Sequence, residues 1–168
     1  MEAFPTNLLI AHPLIYASIY DLAAVVFGSE GLARLSTGDE NDEFDKLRLR
    51  HEIALASKLL IEIAVVLRNL LDNGNWPIDP IHEIRVSARP ETQVGTVREA
   101  TANESTLSFR DACNKLIHAE RVSFGMKSLP GKMDCLNGMV ELHGRRGKRS
   151  WVTEIQLSDF IRMAVRQL

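Results

Sequence analysis

The sequence predicts one mainly α-helical domain that ends in a β-hairpin and a last helix. Its 168 residues fit a single domain and suffice to bury a sizeable core. Apolar residues at helical spacing dominate the first half, whereas alternation of apolar and polar residues is confined to short segments of the second half. No repeat, low-complexity tract or long linker interrupts residues 1–168, so we expect a helical bundle with short additional strands.

The first half predicts two helices. Pro13 suits a first helical turn, where the backbone N–H has no internal partner, and Gly28 is expected to end this helix after Phe27. The acidic run 39–45 favours a helix start, because unpaired N–H groups and the helix dipole attract negative charge. A calcium loop is disfavoured, since the spacing does not match an EF-hand. The second helix is therefore predicted over 44–71.

The later part of this second helix, residues 55–71, is apolar on nearly every side. A helix of this kind must be packed on several faces, which predicts the spine of a bundle or a dimer interface. The DNG sequence at 72–74 is expected to end the helix, and NWPIDP at 75–80 to form a rigid turn.

The second half predicts short strands around one helix. Residues 82–88 alternate like a strand, 91–105 reads as a polar loop, and Ser105 or Thr106 is the expected N-cap of a helix that includes 109–120.

The rest of the chain predicts a strand, a hairpin and a helix. Residues 120–126 suit the strand, and 128–138 a turn-rich connection. A hairpin is expected at about 138–156 with its tip at 144–148, Val140 and Leu142 sharing a face on one arm and Trp151 and Ile155 on the other. Residues 157–168 predict a final helix capped by Ser158.

The segment FRDACNKLIHAE, residues 109–120, carries the most specific functional signal. On a helix, its apolar side chains fall on one side, and the opposite side presents a polar stripe. The stripe consists of Arg110, Asp111, Asn114 and His118, with Lys115 beside it.

These residue types suit the cleavage of RNA without a metal. A histidine can take a proton from a ribose 2′-hydroxyl and return one to the leaving 5′-oxygen. An asparagine can orient the ring or the phosphate, and a cation can offset charge on phosphorus. We therefore predict catalytic roles for His118, Asn114, Arg110 and Asp111. The five histidines are scattered without a paired-ligand spacing, so no metal or other cofactor is predicted.

Charge points to the same class of ligand. Residues 1–80 carry six more acidic than basic residues, and residues 81–168 carry four more basic than acidic ones. A basic half suits a phosphate-bearing partner, and the GRRGKR sequence adds four positive charges to the predicted hairpin tip. The predicted RNA-binding residues are Lys115, Arg121, Arg145, Arg146, Lys148 and Arg149.

The CNKLIH sequence, residues 113–118, resembles the HEPN superfamily, whose ribonucleases carry an Arg followed four to six residues later by His, often with Asn directly after the Arg. The match covers Asn114 and His118, with a looser likeness over residues 40–120. Cys113 stands where the family has Arg, and Arg110, Lys115 or Arg121 are possible replacements. The resemblance implies a HEPN-like bundle, a homodimer, and a ribonuclease or degenerate relative in bacterial defence or a toxin–antitoxin pair.

Other interpretations stay open at this point. His118 also suits a purely structural role at a helix C-terminus. Cys113 lies on the apolar side of its helix, as a buried, inert thiol would. Trp76 and Trp151 suit base stacking or core packing. The whole chain suits a non-catalytic scaffold that binds a partner protein, as an immunity or antitoxin component, or an unrelated helical enzyme.

The expected location is the cytoplasm. The N-terminus lacks the basic region of a signal peptide, and the apolar run 14–27 is too short to span a membrane. Cys113 and Cys135 fit neither a metal knuckle nor a disulfide framework, which favours reduced thiols and no membrane association.

Overall fold

An antiparallel sheet lies against four helices in the computed structural model, which describes residues 6–39, 42–73, 93–99 and 104–168. The predicted turn at 75–80 and strand at 82–88 lie outside these residues, as does Trp76. In chain order the elements are α1 (Thr6–Leu35), α2 (Glu43–Asn73), β1 (Gln93–Glu99), β2 (Ser105–Ser108), α3 (Phe109–Ile117), β3 (Arg121–Lys127), β4 (Cys135–Arg146), β5 (Arg149–Gln156) and α4 (Leu157–Arg166).

The predicted mainly helical bundle is wrong, because the described residues form an α/β fold. Five strands pair in the order β2-β1-β5-β4-β3, and every neighbouring pair is antiparallel. β1 and β2 fall where the sequence predicted a polar loop and a helix start. The helices cover only one face of β1. Val94 is buried, whereas Gln93 and Arg98 are exposed, so the sequence of this strand resembles that of a polar loop.

The predicted hairpin is confirmed as β4 and β5. Val140, Leu142 and Ile155 are completely buried and Trp151 is 4% exposed, which places all four on the inner face that the helices cover. Gly147, with φ of 63°, forms the turn at the tip. The predicted strand at 120–126 is confirmed as β3, which pairs with β4 at the edge of the sheet.

The first helix does not end at Gly28. α1 continues to Leu35 because the turn beyond Gly28 is also packed, with Ser29 and Ala33 fully buried. This packing outweighs the cost of about 1 kcal/mol for a glycine inside a helix. The acidic run does start the second helix as predicted: Asp42 accepts hydrogen bonds from the backbone N–H groups of Phe44 and Asp45 at 2.9 and 3.3 Å.

Two predicted N-caps are also corrected. Ser105 and Thr106 pair with β1 as part of β2, and Ser108 caps α3 instead. Ser158 lies inside α4, whose N-cap position is Gln156, without a side-chain cap hydrogen bond. β2 extends further than the capping signal indicated, because Leu107 is buried against the helices, whereas α4 begins two residues earlier than its signal indicated, because Leu157 is itself completely buried.

One hydrophobic cluster joins all four helices to the inner face of the sheet. Leu60, Ile63 and Leu67 of α2 are at most 1% exposed, and the rings of Phe109 and Phe160 pack with centroids 5.1 Å apart. Among the described residues, no helix is both long and apolar enough to cross a membrane.

A buried ionic cluster connects the helix pair to the sheet. The Arg48 side chain is 4% exposed and pairs with Asp45 at 3.1 Å and Glu52 at 3.2 Å, while also donating to the backbone carbonyl of Asp134 at 2.6 Å. Ser36 donates to Asp45 at 2.5 Å and Ser29 to Glu52 at 2.8 Å, so α1 takes part as well. The cluster therefore ties α1, α2 and the start of β4 together.

Replacing Arg48 with Met is expected to lower the free energy of unfolding by about 3–5 kcal/mol, because it leaves buried carboxylates without their partner. Arg34→Met is the matched control, since Arg34 is 65% exposed and its ion pair with Glu30 is worth less than about 1 kcal/mol. Urea unfolding of both variants measures the difference. Equal losses would show that the Arg48 cluster does not hold the fold together.

Candidate functional site

A polar cleft of the described residues lies between α3 and the inner face of the sheet, beside the tip of the β4–β5 hairpin. Its volume is about 790 Å³, within the range of about 300–1,000 Å³ that is usual for ligand sites. The lining residues are Val97, Glu99, Ser105, Thr106, Leu107, Asp111, Asn114, Lys115, His118, Arg145, Arg146 and Trp151.

α3 brings one polar wall to this cleft. Its apolar side is fixed in the core, because Ala112, Cys113 and Leu116 are at most 2% exposed. At its N-terminus the Ser108 hydroxyl accepts from the Asp111 N–H at 3.2 Å and donates to the Asp111 carboxylate at 2.7 Å. The predicted stripe is therefore real, and part of it, Asp111, also serves to cap the helix.

Asn114 is oriented by an arginine from α2. Arg68 Nε donates to Asn114 Oδ1 at 2.5 Å, and the Arg68 guanidinium is also paired with Asp72. Because a guanidinium only donates, this contact identifies the amide oxygen and turns the two N–H donors of Asn114 away from Arg68. Asn114 thus offers donors, rather than an acceptor, to the cleft that it lines.

His118 is an exposed residue at the C-terminal end of α3. Its backbone N–H donates to the Asn114 carbonyl at 3.1 Å, so residue 118 is the C-cap of α3, a position that does not depend on the imidazole. Its side chain lines the cleft and is not enclosed by hydrocarbon. The imidazole and the Asn114 amide therefore share one wall of an open cleft.

Lys115 crosses the cleft to the sheet. Its ammonium lies 4.1 Å from the centroid of the Trp151 ring, a cation–π contact. Burial lowers the pKa of Lys115, and Glu99 and Asp111 nearby act in the opposite direction. Trp151 is 4% exposed, so it packs in the core instead of offering a face to a base.

The predicted site residues separate into two groups. His118, Asn114 and Asp111 of the catalytic set, and Lys115, Arg145 and Arg146 of the RNA-binding set, line the cleft together.

The remaining predicted residues lie outside the cleft lining. Arg110 pairs with Asp72 at 2.5 Å, and Arg121 contacts the ring of His143 at 2.8 Å on the outer face of the sheet. Lys148 and Arg149 are exposed at the hairpin tip.

Two charged residues of the site were missed in the sequence. Arg68 is one of three charged residues in the apolar stretch 55–71, and a charge in such a helix is a signal for a partner on another element. Glu99 lies at the end of β1, in the segment predicted as a loop, so its place in the cleft depends on a strand pairing that local sequence did not indicate.

Cys113 brings neither a cation nor a nucleophile to the site. The thiol is completely buried, and burial raises its pKa to about 12, which keeps it protonated at neutral pH. The positive charge next to Asn114 comes from Arg68 of α2 instead.

Comparisons with protein-family models, curated proteins and solved structures gave no match for this chain. The resemblance to the HEPN superfamily thus stays a prediction from CNKLIH. Within the described part of the chain, no group of three or more His, Cys, Asp or Glu side chains is arranged to hold a metal ion.

Gly144 allows the Trp151 ring to lie against β4. A Cβ at this position would stand 2.1 Å from Trp151 Cζ2, far inside van der Waals contact. Gly144→Ala is therefore expected to destabilise the fold by about 1–3 kcal/mol and to displace the ring from Lys115.

Tryptophan emission in a Trp76→Phe background, where Trp151 is the sole tryptophan, measures this displacement. Gly28→Ala is the control, because nothing lies within 4 Å of its added Cβ and it should keep or slightly raise stability. An unchanged emission spectrum and stability in Gly144→Ala would contradict this packing of the ring.

Proposed function

We propose that the protein binds RNA, or a nucleotide-related ligand, in the cleft beside α3. The observation that carries this proposal is that His118, Asn114 and three cations line one open cleft. Lys115, Arg145 and Arg146 provide the positive charge that a phosphate group requires. The two N–H donors of Asn114 suit a phosphate oxygen, which is an acceptor.

Two carboxylates, those of Asp111 and Glu99, also line the cleft, and both would repel a phosphate less than free carboxylates would. Asp111 is engaged with the Ser108 hydroxyl, and Glu99 acts on Lys115 by favouring its charged form. Arg145 is partly neutralised by Glu120 at 3.4 Å, whereas Arg146 forms no salt bridge with any described residue. A phosphate is therefore expected closest to Arg146 and Asn114.

The same residues support metal-independent cleavage of RNA. The His118 imidazole would take the proton of a ribose 2′-hydroxyl as its oxygen attacks phosphorus, and the imidazolium so formed would give that proton to the leaving 5′-oxygen as its bond to phosphorus breaks. The products are a 2′,3′-cyclic phosphate and a 5′-hydroxyl. Asn114 and the cations would stabilise charge on the phosphoryl oxygens. The likeness of CNKLIH to the HEPN motif supports a catalytic role for α3, although the fold is not the helical bundle that the family implies.

An RNA-cleavage assay in EDTA tests the chemistry. Wild-type protein is expected to cut single-stranded RNA, and His118→Ala to lose about 10²–10⁴-fold in rate, the usual contribution of a general acid–base group. His51→Ala is the matched control, because His51 is exposed on α2 and does not line the cleft.

If the wild type binds RNA without cutting it, the nuclease proposal is rejected and the proposal of RNA binding stands. Equal activity of His118→Ala and wild type would exclude His118 as the acid–base group. Absence of both binding and cleavage, with the fold intact by circular dichroism, would reject the proposed function. A role in bacterial defence or a toxin–antitoxin pair stays a prediction. Measuring host growth while the protein is expressed would test it.

A second candidate function, protein binding, is favoured by apolar side chains on the outside of the helix pair. Tyr20 of α1 is 73% exposed, and Leu47 and Ile61 of α2 are 50% and 44% exposed. Apolar groups exposed in this number suit a partner protein or a second copy. This surface would serve a non-catalytic scaffold as well as the predicted homodimer.

For the homodimer, light scattering is expected to give twice the chain mass for wild type and the single-chain mass for Leu47→Asp/Ile61→Asp. Charges at these positions would have to be buried without partners in a dimer, which is strongly unfavourable. Glu154→Lys is the control, since Glu154 is an exposed residue of β5 on the face of the sheet opposite to the helices. A monomeric wild type would reject the homodimer.

A further inference from the structure

A second, smaller cavity opens beside the cleft at the hairpin tip. Its volume is about 390 Å³, and its lining residues are Glu99, Arg146, Arg149, Ser150 and Trp151. Glu99, Arg146 and Trp151 line both spaces, so the Arg146 side chain stands at their common boundary. A ligand that extends beyond the cleft past Arg146 would enter this second space.

The charges of the tip are poorly neutralised. Arg146 and Arg149 are direct partners across the β4–β5 ladder, and like charges in this position repel one another. Lys148 lies between them in the turn, and none of the three forms a salt bridge with a described residue, whereas Arg145 has Glu120. An anion held between Arg146 and Arg149 would relieve this repulsion.

We infer that the small cavity is a second phosphate subsite, so that the ligand of this protein is a single-stranded oligonucleotide and not a mononucleotide. The inference rests on the proposed function, because the first nucleotide occupies the α3 cleft. Its neighbour along the strand then places a phosphate between Arg146 and Arg149. A single strand is expected, because its flexible backbone can place successive phosphates in two adjoining spaces that share Glu99, Arg146 and Trp151.

Binding of a fluorescein-labelled RNA octanucleotide, measured by anisotropy in EDTA with His118→Ala protein, tests this subsite. Arg149→Gln is expected to weaken octanucleotide binding about fivefold at about 0.1 M salt and to reduce the slope of log affinity against log salt by about 0.7, the value for one phosphate contact on a single strand. Arg162→Gln is the control, because Arg162 is an exposed arginine of α4 that lines neither cavity.

A nucleoside monophosphate used as competitor separates the two sites. Its affinity is expected to be unchanged by Arg149→Gln and lowered by Lys115→Gln, since Lys115 lines the cleft but not the small cavity. If the octanucleotide responds to Arg149→Gln no more than to Arg162→Gln, or if a duplex of equal length binds more tightly, the subsite is rejected while the proposed function stands. If the protein binds neither the octanucleotide nor the monophosphate, both are rejected.

Discussion

The pairing of Arg48 with Asp45 and Glu52 is the interaction on which the arrangement of the molecule depends. Removing a guanidinium and two carboxylates from water is costly unless each finds its partners, so the geometry around them tolerates little change. The partners come from α2 itself, from the hydroxyls of Ser29 in α1 and of Ser36 directly after it, and from the Asp134 carbonyl just before β4. Apolar packing holds these elements together without fixing their relative position, whereas the cluster defines one way in which they meet.

The cleft lies at the far ends of the elements that this cluster joins. Along α2, Arg68 lies about 30 Å from Arg48, at a rise of 1.5 Å per residue, and Arg68 donates a hydrogen bond to Asn114. β4 starts directly after Asp134 and ends at Arg145 and Arg146. The ionic cluster thus anchors two elements of the cleft. One is α2, whose Arg68 orients the Asn114 amide, and the other is β4, which carries Arg145 and Arg146. A shift at the ionic cluster would therefore be carried along both elements into the cleft.

Local signals in the sequence account for part of this structure. α2, the hairpin and the polar side of α3 were predictable, because their periodicity lies within one segment. β1 and β2 were not, because strands with one exposed face and four to seven residues resemble polar loops until their partners are known. The site divides in the same way: Asn114 and His118 share a helix, whereas Arg68 and Glu99 join them only through tertiary contacts. Arg149, at the hairpin tip, was predicted as a phosphate contact from charge alone.

Trp151 makes the helix wall and the hairpin tip a single site. Its ring lies against β4 because residue 144 is a glycine, and the Lys115 ammonium lies over the ring. This contact joins α3 to the hairpin, in addition to the hydrogen bond from the Glu120 N–H to the His143 carbonyl at 2.8 Å. Lys115, held in this way, is already in place, so little of its side-chain entropy would be lost on binding the proposed ligand. A buried tryptophan can therefore support a site mainly by holding the lysine of the α3 wall against the sheet that carries Arg146.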